Sequence, residues 1–250
     1  MVKSFGEYIA ESEMSLEEFI KKLALGLVRK IRTIAVPESD EYADMKGMEF
    51  TEPIAFDLVL ELKRKSHFDV QEDPHFKNLP WEQINYKNLG YSIDANSEMN
   101  RGDLYIPRIT ITMVVDPMQE PHLYTKLHAR LIDILTHEIG HLKQASQVDR
   151  TPFSANPSNG EERNASKKSY KYFLLNDEIE SMVEGMYARA KQERITLDKA
   201  FDEYLQPFLQ SKYITPAEYS EVMKKWIEFA IENHPDAKFS SSVDQIVDSL

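Results

Sequence analysis

The residues His137-Glu138-Ile139-Gly140-His141 place two imidazoles and a carboxylate within five consecutive positions. In an α-helix, residues four apart lie on the same side, one turn from each other, so both imidazoles can bind one metal ion. A glutamate beside the first histidine can reach a water bound to that ion. The spacing therefore predicts a zinc site with His137 and His141 as ligands and Glu138 as the general base.

A long helix over residues 120–145 is predicted to carry this motif. Its apolar residues share one face, and they are Leu127, Leu131, Ile134, Leu135 and Leu142. Glu138 lies in the middle of that face and His141 at its edge. A carboxylate among apolar side chains is costly unless it is paired, and a metal with its bound water would meet that cost. The alternatives are two histidines at the edge of a core and an inactive remnant of a metal site.

A catalytic zinc site normally has a third protein ligand. The metzincin pattern would place glycine and then histidine downstream, but Gln144 and Gln147 occupy those positions. No histidine occurs between His141 and His234, which excludes other nearby third histidines. The remaining histidines, His67, His75, His122, His128 and His234, are expected at the surface or facing away from His141. A carboxylate from a later helix is therefore expected as the third ligand.

Together with residues 176–190 (NDEIESMVEGMYARA), the HEIGH motif resembles the gluzincin-type zinc metallopeptidases, including small phage and bacterial members. The resemblance does not cover the N-terminal third or the last 50 residues of the chain. It implies a zincin-like fold, a Zn²⁺ cofactor, a peptide or protein substrate, and a sheet-edge strand within 104–115 that pairs with that substrate. It also implies a glutamate ligand followed three positions later by a small residue.

Glu178 matches that ligand pattern, with Ser181 three positions on and Gly185 seven positions on. Glu180 is the main alternative because Glu184 follows four positions later as a possible acidic partner, and Glu184 is itself a third candidate. Their positions around the predicted helix do not separate Glu178 from Glu180. At least one of these two glutamates is expected at a solvated boundary.

The resembled families often carry an acidic residue four positions after the ligand, where this chain has Met182. If Glu178 is the ligand, another group must therefore orient the histidines. The same families often place a tyrosine or histidine near the metal to stabilise the oxyanion. Tyr170 or Tyr172 could serve, with a place in the core as the alternative.

The remaining pattern indicates a helix-rich α+β protein with a small mixed sheet preceding the active-site helix. We predict a single domain over 1–250, with an N-terminal helix at 15–34, a zincin core at about 50–193 and C-terminal helices within 197–233. Strands are expected at 54–62, 91–95 and 104–115, and further helices at 171–193, 197–210 and 216–233. The segment that follows the strand at 54–62, up to about residue 88, is expected to be mostly loop. Residues 149–168 are expected to form a mobile loop.

Composition limits the partners. The net charge is −12 at pH 7, which argues against a nucleic-acid or anionic-membrane partner. The absence of cysteine excludes disulfides, thiolate catalysis and Cys-bound metals. No signal peptide or membrane-spanning run is recognisable, so a cytoplasmic location is expected, or a virion or host cytoplasm if a phage encodes the chain.

A non-catalytic or assembly-related protein that retains a zincin-like fold is the alternative function. The opening segment FGEYIAESE resembles short N-terminal segments of tailed-phage virion proteins. The sequence does not indicate the natural substrate or the oligomeric state.

Overall fold

The structure is a computed structural model that describes residues 14–33, 43–50, 56–64, 80–98, 107–115, 120–146, 152–166, 169–241 and 243. The described residues form seven α-helices, one 3₁₀ helix and four β-strands. In chain order they are α1 (Leu16–Thr33), β1 (Ala43–Phe50), β2 (Phe56–Arg64), α2 (Pro80–Leu89), β3 (Tyr91–Glu98), β4 (Arg108–Val115), α3 (Glu120–Ser146), α4 (Gly160–Ser166), the 3₁₀ helix (Tyr170–Leu174), α5 (Asn176–Glu193), α6 (Leu197–Gln210) and α7 (Pro216–Asn233).

The four strands form one mixed sheet in the order β1-β2-β4-β3. Strand β2 pairs antiparallel with β1 and parallel with β4, and β4 pairs antiparallel with β3. The predicted helix-rich α+β class and the small mixed sheet before the long helix are therefore confirmed. The expectation that 104–115 contains an edge strand is wrong, because β4 lies inside the sheet. Among the described strands, β1 and β3 form the edges.

One face of the sheet packs against α1 and α3. Alternate residues of the strands point into this core, because side chains along a strand alternate between its two faces. The inward residues include Leu58, Leu60, Leu62, Ile109, Ile111 and Met113, and all of them are buried. Apolar residues of α1 and α3 at helical spacing complete the cluster, among them Phe19, Leu23, Leu27, Leu127, Leu131 and Leu135.

A second core joins α5, α6, α7 and the 3₁₀ helix. Trp226 of α7 is fully buried, and its indole N–H donates to the carbonyl oxygen of Phe173 at 3.0 Å. The rings of Phe173, Phe201 and Tyr204 surround it. Buried aromatic contacts of this kind fix the 3₁₀ helix directly before α5.

Helix α5 runs antiparallel to α3 and very close to it. Contacts pair residues 177–181 with 141–144, and Gly185 with Asp133. A Cβ at Gly185 would lie 2.6 Å from Asp133 Oδ1 and 2.7 Å from the Asp133 carbonyl oxygen. The absence of a side chain at this position is therefore what allows the two helices to approach.

Several predicted elements match closely. The long helix extends over Glu120–Ser146, and α6 and α7 have the predicted bounds. A capping box joins Ser15 and Glu18 at the start of α1, with both hydrogen bonds at 3.3 Å, and Thr215 caps α7 in the same way. None of the helices in the described segments is long and apolar enough to cross a membrane.

Other elements differ from expectation. Residues 80–89 form helix α2 rather than loop, and a proline at its first position is compatible with a helix start. Strand β1 was not predicted. The predicted helix at 171–193 is broken at Leu175, whose extended backbone separates the 3₁₀ helix from α5. The opening FGEYIAESE segment, His67 and His75 lie outside the described residues. That residues 1–250 form a single domain stays a prediction.

The close approach of α3 and α5 can be tested by adding a methyl group at Gly185. Gly185→Ala forces a shift against Asp133, so we expect a loss of about 1–3 kcal/mol in the free energy of unfolding. Gly26→Ala in α1 is the matched control, because among the described residues no heavy atom beyond the adjacent helix backbone lies within 4 Å of its Cβ position. There alanine should stabilise by up to about 1 kcal/mol. Urea unfolding measures both, and equal stability changes in the two variants would contradict the interpretation.

Candidate metal centre

The two histidines of the HEIGH motif face each other across one turn of α3. His137 Nε2 and His141 Nε2 are 3.1 Å apart, and the two rings are nearly perpendicular at an angle of 86°. Their position between the apolar face of α3 and helix α5 leaves both side chains little exposed. The helix therefore presents two ring nitrogens to one point in space.

Glu178, in the first turn of α5, supplies the third group. Its Oε1 lies 3.4 Å from His141 Nε2, its Oε2 lies 3.7 Å from His137 Nε2, and the side chain is fully buried. Among the described residues, His137, His141 and Glu178 form a group able to hold a metal ion. The structure thus brings together the three ligands that the sequence favoured.

The spacing and chemistry of these three groups fit a zinc ion. Tetrahedral ligands at about 2.0–2.1 Å from zinc are separated from each other by about 3.3 Å, which is close to the distances observed here. Among the described residues, Glu178 Oε2 is buried without a hydrogen-bond partner, which is costly for a carboxylate oxygen unless a cation satisfies it. Two imidazoles and one carboxylate are a donor set that suits zinc better than magnesium or calcium.

The protonation states also favour a cation. Burial, together with the neighbouring His141, lowers the pKa of His137 to about 3. Burial alone would raise the pKa of Glu178, but hydrogen bonding and charge from His141, with the charges of His137 and Arg163, lower it to about 2. At neutral pH His137 is therefore a neutral imidazole and Glu178 an ionised carboxylate, which are the forms that bind metals. Burial alone would lower the pKa of His141, but the hydrogen bond and charge of Glu178 raise it, so His141 must lose a proton to bind a metal.

Glu138 lies beside the three candidate ligands and is not part of that group. Its side chain is 8% exposed, and its Oε1 is 4.0 Å from His137 Nε2. Burial raises the pKa of Glu138 to about 7 in the metal-free protein, against the opposing effects of His141 and Ser97. A carboxyl group with a pKa near neutrality can both accept and return a proton.

A cavity of about 530 Å³ opens beside His137 and Glu138. Five rings form much of its wall, and they are Tyr172, Phe173, Tyr204, Phe208 and Tyr213. Arg130 and Asp133 of α3 also line it, and they pair with each other through Arg130 Nη1 and Asp133 Oδ2. Residues 93–95 of β3 also line the cavity. The cavity is therefore lined by aromatic rings together with charged groups, of which Arg130 and Asp133 pair with each other.

Both carboxylate oxygens of Glu180, the alternative third ligand, accept hydrogen bonds from other groups. Its Oε1 accepts from Ser154 N at 2.5 Å and from Ser154 Oγ at 3.1 Å. Its Oε2 accepts from Ala155 N at 3.0 Å and from Gln144 Nε2 at 2.7 Å. Glu180 is only 2% exposed, so the expectation that either Glu178 or Glu180 lies at a solvated boundary is wrong. Both carboxylates are buried.

Glu184, the last of the three glutamates considered as the third ligand, lies away from His137 and His141. Its Oε1 is 3.0 Å from His234 Nε2, in a contact without hydrogen-bond geometry. His234 is buried and stacks on Tyr187 with ring centroids 4.1 Å apart, so the expectation that it lies at the surface is also wrong.

The structure separates the two tyrosine candidates. Tyr172 lines the cavity, and burial together with the nearby charge of Glu178 raises its pKa well above the ordinary value. Its phenol therefore stays protonated as a hydrogen-bond donor. Tyr170 lies beside Glu221 of α7 and does not line this cavity.

Arg163 is a site residue that the sequence did not indicate. Its Nη1 lies 2.5 Å from Glu178 Oε1, and its Nη2 lies 2.7 Å from Asp177 Oδ2. It belongs to α4, inside the stretch expected to be a mobile loop. The local sequence around Arg163 does not indicate this role, because its contacts with Asp177 and Glu178 join two separate segments of the chain. Gln144 was also missed as a contact of His141, although its position three residues later on the same helix was a usable signal.

Residues 152–166 are attached to α3 and α5 by several contacts. Phe153 is buried and packs on Gly140, where a Cβ would overlap its ring. Ser158 donates from its backbone N–H to Asp177 Oδ2 at 2.9 Å. Together with the bonds of Ser154, Ala155 and Arg163, these contacts attach the segment to α3 and α5. The expectation that the whole segment is loop is wrong, because residues 160–166 form α4, and its mobility stays a prediction.

Comparisons of the chain with protein-family models, with characterised proteins and with solved structures find no match. The description of the site therefore depends on this chain's own residues.

The third ligand can be tested by metal binding. Glu178→Gln removes the carboxylate charge with little change in side-chain shape. We expect its zinc affinity to fall by more than the roughly 10–100-fold that is typical when a residue that hydrogen-bonds to a metal ligand is replaced. Glu184→Gln is the matched control on the same helix, and its affinity should match wild type. Competition with a chromophoric chelator measures both. Equal affinities for Glu178→Gln and wild type would exclude Glu178 as a ligand.

The buried Glu138 carboxyl should make stability depend on pH in the metal-free protein. Its pKa rises from 4.5 to about 7 on folding, so the unfolding free energy falls as pH increases through that range. Glu138→Gln should therefore be more stable than wild type above pH 7, by up to about 3 kcal/mol, and similar to it below pH 4.5.

Urea unfolding with a chelator present measures this difference, with Glu161→Gln at an exposed position as the control. A difference between Glu138→Gln and wild type that is the same at both pH values would show that burial does not raise the Glu138 pKa.

Proposed function

We propose that this protein is a zinc-dependent metallopeptidase of the gluzincin type. The observation that carries the proposal is the convergence of His137, His141 and Glu178 beside Glu138 at the end of a cavity. A mixed sheet, a following helix with the HEIGH motif, and a later helix with the glutamate ligand are also the arrangement expected of a zincin-like fold.

The three ligand side chains would hold zinc, and each has the required form at neutral pH or can adopt it. A bound zinc ion lowers the pKa of water toward about 7 and polarises a carbonyl group. Glu138 would take a proton from the attacking water as the water oxygen bonds to the carbonyl carbon of the substrate. As the peptide C–N bond breaks, Glu138 returns that proton to the leaving amine.

Tyr172 is the donor we assign to the carbonyl oxygen of the substrate. Its hydroxyl stays protonated, it lines the cavity beside the ligands, and Tyr170 does not. A phenol donor at this position would stabilise the negative charge that develops on the carbonyl oxygen.

The sheet edge nearest the site offers a way to bind a peptide backbone. In the described part of the chain, β3 pairs on one side only, with β4, and its residues 93–95 border the cavity. An extended peptide can add to such an edge through main-chain hydrogen bonds. We therefore assign the role expected of 104–115 to β3, with the aromatic cavity accepting a substrate side chain.

Replacing the general base should separate metal binding from catalysis. Glu138→Gln should keep one zinc per chain while peptide hydrolysis falls by at least about 10²-fold, because the amide cannot accept the proton. His137→Ala should lose both zinc and activity. Elemental analysis and turnover of an unfolded protein substrate measure the two properties.

Retained hydrolysis in Glu138→Gln would refute the assignment of the base. Wild type that binds zinc but hydrolyses no peptide would favour the alternative of an assembly-related protein that keeps a zincin-like fold without catalysis.

A further inference from the structure

Gln144 connects His141 to Glu180 inside the protein. Its side chain is fully buried, and its Oε1 lies 2.9 Å from His141 Nδ1. Its Nε2 donates to Glu180 Oε2 at 2.7 Å and to the Asp177 carbonyl oxygen at 3.2 Å. Both ends of this amide therefore have a partner.

We propose that Glu180 and Gln144 are positioning residues that fix the orientation and protonation of His141 at the metal centre. Glu180 sets which way the Gln144 amide points, and the amide in turn sets which ring nitrogen of His141 carries a proton. The inference rests on the proposed metal site and names residues that neither ligate the metal nor contact the substrate.

The direction of the amide follows from its partners. The Glu180 carboxylate and the Asp177 carbonyl oxygen can only accept hydrogen bonds, so the Gln144 NH₂ group must face them. Glu180 is itself held in place, because its two oxygens also accept from Ser154 and from Ala155 N–H. The reversed amide would set two acceptor oxygens against each other in a buried site.

The consequence for His141 follows directly. With the amide in this direction, Gln144 Oε1 is an acceptor aimed at His141 Nδ1, so Nδ1 must carry the proton. The Ser181 hydroxyl lies farther away, at 3.4 Å from both His141 Nδ1 and Gln144 Oε1. The other ring nitrogen, Nε2, is then the one whose lone pair is available toward His137 and Glu178.

Gln144 would take the place of the acidic residue that the resembled families often carry four positions after the ligand glutamate. Met182 occupies the position four residues after Glu178, and its side chain cannot accept a strong hydrogen bond from an imidazole. The acceptor comes instead from α3 itself, through Gln144. The same carboxylate that orients Gln144 also binds the backbone of Ser154 and Ala155, so docking of that segment and orientation of His141 share one group.

The experiment uses the full chain with ¹⁵N-labelled histidine, in metal-free and zinc-bound forms. Gln144→Met removes the acceptor with little change in shape, and Glu180→Gln removes the carboxylate that fixes the amide. Gln206→Met is the matched control, because Gln206 makes a similar bond to Asp202 on α6 and is not among the residues that line the cavity. Circular dichroism and thermal unfolding establish that each variant is folded.

Two readouts are expected to change together. At about pH 9, the wild-type spectrum should show His141 protonated at Nδ1, and Gln144→Met should move the proton to Nε2. Zinc affinity, measured by chelator competition, should fall about 10–100-fold in Gln144→Met. The zinc affinity of Glu180→Gln should fall by a smaller factor, and the zinc affinity of Gln206→Met should match that of wild type. A purely structural role would not move the proton on His141.

The proposal would be overturned by His141 protonated only at Nε2 in wild type. It would also be overturned by zinc affinity and Nδ1 protonation that are unchanged in a folded Gln144→Met. If Gln144→Met does not fold, the nearly isosteric Glu180→Gln decides in the same way. Wild type that binds no zinc would refute the metallopeptidase proposal, whereas protonation of His141 in the metal-free protein still decides this one.

Discussion

The close approach of α5 to α3 is the constraint on which the candidate site depends. Two ligands lie on α3 and the third on α5, so ligand atoms 3.1–3.7 Å apart require the two helix backbones to be near each other. Gly185 makes this possible by resting directly on Asp133. Glycine inside a helix costs about 1 kcal/mol relative to alanine. Here that cost is offset by a contact that no larger residue allows.

Three buried carboxylates in the first turns of α5 are stabilised in different ways. Asp177 accepts from Ser158 and pairs with Arg163. Glu180 accepts only hydrogen bonds from neutral donors. Glu178 shares Arg163 through Oε1, while its Oε2 has no hydrogen-bond partner. The helix N-terminus favours negative charge but does not satisfy a buried oxygen. The one unsatisfied oxygen therefore lies where a cation between the two histidines would reach it.

The sequence predicted those features that depend on local periodicity. Helices α1, α3, α6 and α7 follow from apolar spacing and capping residues, and the HEIGH spacing follows from one helical turn. Strand β1 and helix α2 were missed. A strand at β1 depends on pairing with β2, which is a contact between separate segments. Helix α2 was obscured by Pro80, which local rules associate with a helix start as readily as with a loop.

The choice between Glu178 and Glu180 depends on contacts that local periodicity does not contain. Both residues flank the apolar face of α5, and both are buried. The difference arises because Phe153 packs on Gly140 and brings the amides of Ser154 and Ala155 onto Glu180. Glu180 is thereby saturated with donors, which leaves Glu178 as the carboxylate able to accept a cation. Gly140, inside the HEIGH motif itself, thus helps to decide which glutamate remains available to a cation.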